Sequence, residues 1–93
     1  MYKLQFMMFD GCPYCAQAEG WLEELKNENP EYATVAIRQI DENLHPELTK
    51  GLNYYYVPTF FLLDDEGKVV EKLHEGAATK EKIRAVLDAA LKK

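Results

Sequence analysis

Cys12 and Cys15 are the chain's two cysteines, and only Pro13 and Tyr14 separate them. A thiolate attacks a disulfide sulfur to form a mixed disulfide, and a second thiol within reach displaces the partner by closing an internal disulfide. Cys-x-x-Cys at the start of a helix serves both steps, because one helical turn brings the second sulfur back over the first. A structural staple explains the pair poorly. By loop-closure entropy so small a ring stabilises by roughly 2 kcal/mol before strain, against about 3 kcal/mol for a loop of some fifteen residues. A zinc site needs four ligands, usually in closely spaced pairs. His45 and His74 supply the right atoms without that spacing.

The elements around the cysteines are legible from periodicity. Residues 3–9 are apolar and aromatic, end at Asp10-Gly11 and read as a first strand. From Pro13 the pattern becomes helical, with Ala18, Trp21, Leu22 and Leu25 on one stripe and Gln17, Glu19, Glu23 and Glu24 elsewhere. Proline suits the first helical turn, where a missing N–H costs nothing, so Cys12 falls at or near the N-cap and Pro30 closes the helix from beyond its end. Free N–H groups and the dipole at that terminus favour negative charge, making Cys12 the expected nucleophile on the exposed side, with Cys15 deeper as the resolving thiol.

Residues 32–40 are β-branched and alternating and read as a second strand. Residues 41–52, with Pro46 early and Gly51 late, predict a short helix. The run 57–63 is continuously apolar, as in a strand covered on both faces. A turn at 64–67 leads to a further strand at 68–74 and hence a hairpin. Residues 79–91 place Ile83, Val86, Leu87, Ala90 and Leu91 on one stripe, with Thr79 as N-cap. The order β-α-β-α-β-β-α predicts an α/β fold with a mixed four-stranded sheet flanked by helices. A right-handed crossover makes its first two strands parallel.

Ninety-three residues suit one domain spanning 1–93. A net charge of −5 argues against a sequence-independent grip on nucleic acid, which relies on Lys and Arg. The apolar runs are too short to span a bilayer, and no charged segment followed by an apolar stretch and a small-residue cleavage site opens the chain. A cytoplasmic, monomeric protein is the expectation, and two cysteines alone fit that compartment better than a secreted disulfide scaffold.

Cys12-Pro13-Tyr14-Cys15 resembles the active-site motif of glutaredoxins, while Asp41-Glu42-Asn43, Tyr56-Val57-Pro58-Thr59 and Gly76-Ala77 follow thioredoxin patterning. The resemblance to the thioredoxin superfamily covers essentially the whole chain. It implies a thiol-disulfide oxidoreductase that reduces protein disulfides through Cys12 and Cys15, with no organic cofactor beyond the pair itself. It also implies that Pro58 is a cis proline facing the dithiol, and that Val57 pairs backbone to backbone with an extended substrate. Pro13, Tyr14 and Tyr56 are the further expected substrate contacts, Tyr56 being the one of the run Tyr54-Tyr55-Tyr56 nearest Val57.

Three positions depart from the family pattern. Phe6 stands where thioredoxins carry a buried acid, and Gly11 where they carry a tryptophan. Residues 74–79 lack the paired glycines and following acid with which glutaredoxins hold glutathione. The expected reductant is therefore of the thioredoxin-reductase type. Glutathione dependence is the first alternative, and a redox-sensing or metal- or iron-sulfur-binding module is the alternative from another class. Asp10 either opposes the Cys12 thiolate or merely solvates its loop.

Overall fold

The computed structural model describes residues 2–54, 56–74, 76 and 78–92. Strand β1 (Lys3–Met8) leads into helix α1 (Pro13–Glu28), then strand β2 (Ile37–Asp41), the hairpin β3 (Thr59–Leu63) and β4 (Val69–Leu73), and helix α2 (Lys80–Lys92). The sheet order is β2-β1-β3-β4. β1 runs parallel to β2, with Leu4 opposite Ile37, and antiparallel to β3, with Met7 opposite Thr59. This is the mixed four-stranded sheet flanked by helices expected from the order of elements.

Alternation along β1 decides which side chains each sheet face receives. Leu4, Phe6 and Met8 join Phe60, Leu62 and Leu73 under α1 and α2, which contribute Cys15, Ala18, Leu22, Leu25, Ile83 and Leu87 to the main core. Phe6 and Phe60 stack with ring centroids 4.5 Å apart. The opposite face is thinner. Met7, Ile40 and Phe61 form a second, smaller cluster covered by the partly buried Leu48, Leu52 and Tyr54. Tyr54 packs edge-on against Phe61 and its hydroxyl donates to Glu42 at 2.8 Å. β3 is thus covered on both faces, as its unbroken apolar run predicts.

Three expectations are corrected. The strand expected at 32–40 begins only at Ile37, because Pro30–Thr34 forms a 3-10 turn. Its start is set by Asn29, whose side chain accepts from the Glu31 N–H, and Tyr32 turns inward to donate its hydroxyl to Asp88 at 2.7 Å. The short helix expected within 41–52 is a single 3-10 turn, Pro46–Thr49, with no buried residue to extend it. Trp21 is only partly buried at the edge of its helical stripe.

Charged side chains clasp the two helices together. Lys80 Nζ lies 2.6 Å from Glu28 and 3.1 Å from Glu24, and Arg84 reaches Glu28 at 3.0 Å. Hydrogen bonds from Lys80, then Arg84, hold the Glu28 carboxyl below the usual glutamate range. A depressed folded-state pKa stabilises the fold above the unfolded value, and that contribution is lost as pH falls through the folded one. Glu28→Gln is therefore expected to remove part of the stability lost on acidification. Urea midpoints measured from neutral pH down through the carboxylate range should converge for the two proteins at the acid end, and high salt should narrow the neutral-pH difference.

Candidate active site

The topology gathers one end of the sheet into a site. β1 delivers its carboxyl end to the loop before α1, and the antiparallel pairing of Met7 with Thr59 brings the start of β3 beside it. The pairing of Phe60 with Leu73 returns the end of β4 to the same place. Loops from three strands therefore surround the start of α1.

That start is built by the cysteines themselves. Cys12 is the N-cap, with extended backbone, and Pro13 is the first helical residue. The Cys15 N–H donates to Cys12 Sγ at 3.3 Å, so the sulfur occupies the place that a capping hydroxyl or carboxylate oxygen usually takes. Gly11, just before it, has φ +90°, a backbone region in which a side chain is strained. The loop is also pinned from the sheet, since the Asp10 N–H donates to Asp41 Oδ2 at 3.1 Å while Oδ1 accepts from the Asn43 N–H at 2.9 Å.

Both cysteines are free thiols. The expected order of depth holds, but Cys12 does not lie on an exposed side: it is 7% exposed and Cys15 1%. Burial, then the contact with Cys12, pushes the Cys15 thiol up to about 12, and the charge of Glu19 acts in the same direction. The two thiols therefore differ in kind: Cys12 caps the helix, and Cys15 is held as the protonated partner.

The Val57–Pro58 peptide bond is cis, as the resemblance implies. Tyr14, Val57, Pro58 and Gly76 line a hollow of about 250 Å³ on one side of the dithiol. Tyr14 and Tyr56 are 70% and 68% exposed. Tyr56 does not line this hollow, and its carbonyl accepts the hydroxyl of the fully buried Thr59. Tyr54 belongs to the second core cluster, and Tyr55 lies outside the described residues. On the other side, Cys12, Pro13 and Cys15 share a cavity of about 210 Å³ with Asp10, which is exposed, and Glu19. His45 pairs with Glu47 at 3.7 Å, His74 packs beside Gly76, and no three metal-ligating side chains converge among the described residues.

Glu19, Gly76 and Thr59 were not singled out as site residues by sequence reasoning. For Glu19 the signal was present, because it stands four residues after Cys15 and so shares its helix face. Thr59 and Gly76 appeared only as parts of the family motifs, with no chemistry of their own to mark them.

An open mixed sheet that seats a dithiol at a helix start, with a cis proline sharing a hollow with Tyr14 between the two cysteines, defines a thiol-redox fold. The chain belongs to the thioredoxin-like domain family, whose model matches residues 3–91. Solved structures agree on the fold. Thioredoxin from Malassezia sympodialis superposes with a TM-score of 0.80 at 14% identity, over 97% of this chain and 75% of that one. Thioredoxin from Fasciola hepatica superposes with 0.76 at 22% identity, over 96% and 80%. Oxidised thioredoxin from Plasmodium falciparum gives 0.76 at 18%, over 95% and 79%. A search of curated protein sequences found no match.

Proposed function

We propose that this protein reduces protein disulfides by two-step dithiol exchange, Cys12 attacking and Cys15 resolving. The observation that supports this reading best is the inequality of the two thiols around the 3.3 Å contact. Cys12 Sγ receives an N–H as the cap of the helix, while burial keeps the deeper Cys15 protonated until a mixed disulfide forms beside it. The substrate lies as an extended segment along the hollow lined by Tyr14, Val57 and Pro58, and the exposed Pro13 and Tyr56 are its further contacts. The protein works as a cytoplasmic monomer, its only redox group is the Cys12–Cys15 pair, and its partners are disulfide-bearing proteins and a reductase, not nucleic acid or membrane.

Glutathione is the competing electron source, suggested by the Cys-Pro-Tyr-Cys motif itself. Among the described residues, the hollow that Gly76 borders is lined by Tyr14, Val57 and Pro58, none of them charged. An NADPH-coupled disulfide-reduction assay decides between them, run once with thioredoxin reductase and once with glutathione plus glutathione reductase. Faster turnover is expected in the first. Equal or faster turnover with glutathione would reverse the assignment of the reductant.

A further inference from the structure

The cavity of about 210 Å³ beside the dithiol is lined by both cysteines and by Glu19. Glu19 projects from α1 one turn beyond Cys15. From β2, Gln39 Nε2 donates to Glu19 Oε1, so one oxygen is tied to the sheet and the orientation of the other is fixed. The same carboxylate borders two further hollows, one toward Leu22 and Lys26 and one toward Asp41 and His45, of about 310 and 510 Å³. It therefore stands, half buried, where the dithiol cavity meets open water.

We infer that Glu19 is the proton acceptor for Cys15 in the resolving step, an assignment that rests on the exchange reading above. As Cys15 Sγ attacks Cys12 Sγ, the Cys15 proton passes to the Glu19 carboxylate. The transfer is direct or runs through one solvent molecule, for which the cavity has room at about 30 Å³ per water. The Cys12–Cys15 bond forms, the bond from Cys12 to the substrate breaks, and the substrate sulfur leaves with the electron pair and takes a proton from solvent. The substrate gains two electrons and the dithiol loses two. Glu19 then releases its proton through the outer hollows.

Such an acceptor is needed because a deeply buried thiol yields little thiolate near neutral pH, and general-base help in the transition state is what removes that obstacle. Among the described residues, the core cluster that holds both cysteines contains no carboxylate or imidazole, and Phe6 stacks on Phe60 within it. The other titratable groups bordering these hollows are Cys12 and Asp10 from the loop after β1, Asp41 and His45 from the end of β2 and beyond, and Glu23 and Lys26 farther along α1. Of these only Asp10 and Cys12 share the dithiol cavity. Asp10 is exposed, and it precedes the helix instead of sharing the face of Cys15.

The two possible roles of Glu19 have effects of opposite sign. As a mere neighbouring charge, Glu19 opposes the Cys15 thiolate, so removing it would speed resolution; as the proton acceptor it assists, so removing it slows resolution. Reduced protein mixed in stopped flow with one equivalent of dithiobis(nitrobenzoate) releases thionitrobenzoate twice, first on attack by Cys12 and then, at a concentration-independent rate, on resolution by Cys15. In Glu19→Gln the ratio of the second rate to the first is expected to fall about 100-fold, the lower end of general-base effects. The second phase should also become steeper in pH, approaching about tenfold per unit, as expected when hydroxide alone sets the thiolate fraction. Glu19→Asp should recover part of the rate, and Gln39→Leu should lose a smaller part. A second phase in Glu19→Gln that is unchanged or faster would overturn the inference. Absence of any Cys12-dependent first phase in the unmodified protein would instead overturn the exchange reading itself.

Discussion

A Cys12→Ser protein is expected to lose disulfide-reducing turnover to background, and a Cys15→Ser protein to stop halfway as a stable mixed disulfide. The two outcomes follow from unequal placement. Cys12 Sγ is the N-cap acceptor and lies nearer the surface, whereas Cys15 is 1% exposed and its thiol is pushed up to about 12. Serine at position 12 still caps the helix, since a hydroxyl accepts the N–H that the sulfur accepted, so the fold survives while the nucleophile is gone. Serine at position 15 leaves the nucleophile intact but removes the thiol that would displace the substrate. Mass spectrometry of the purified variants reads the result, with an adduct in Cys15→Ser that dithiothreitol removes and none in Cys12→Ser. The reverse pattern would exchange the roles of the two sulfurs.

Phe6→Ala is expected to be the most damaging core substitution, costing about 3–5 kcal/mol, the usual range for truncating a buried phenylalanine. Phe6 is fully buried on the central strand, opposite Phe60 in register and stacked on it. Few neighbours are free to collapse into the space, because the sheet fixes it from both sides. With total stability of a domain of this kind about 5–15 kcal/mol, a loss of this size is a large fraction of the whole. Urea denaturation gives the number, and Phe6→Leu, which retains most of the volume, should cost markedly less. A loss below about 1 kcal/mol for Phe6→Ala would mean that the site collapses or was never tightly packed.

Much of this was legible in the residues, and the parts that were not share a cause. Periodicity found α1 and α2 because Ala18, Leu22 and Leu25, and Ile83, Val86 and Leu87, repeat on one face and are buried there. It found β3 because Thr59 to Leu62 are all covered. It misplaced the start of β2, since the β-branched composition of 32–36 carried no information about the turn that Pro30 and Asn29 impose. It lengthened the 46–49 turn into a helix, because proline and glycine mark boundaries without supplying the apolar stripe a helix needs to pack. At the site, the Cys-x-x-Cys spacing and Pro13 located the helix start. The partner assembled from a distance, Asp41 on the Asp10 N–H, depends on strand register, which no local pattern encodes, whereas Glu19 in the dithiol cavity follows from its spacing of four from Cys15 on α1.

The uneven covering of the two sheet faces has a consequence for how the molecule opens. The thick face, under α1 and α2, carries the thiols, while the described residues that roof the thin face, Leu48, Leu52 and Tyr54 among them, are only partly buried. Val57, which lines the hollow beside Tyr14 and Pro58, packs against both clusters. Local unfolding follows the least buried apolar area, so amide protons along 42–54 should exchange through an opening that leaves α1 intact. The dithiol is thereby anchored to the thickly covered face, and the Val57 edge of the neighbouring hollow is anchored partly to the thinly covered one, so the two are expected to differ in how readily they move.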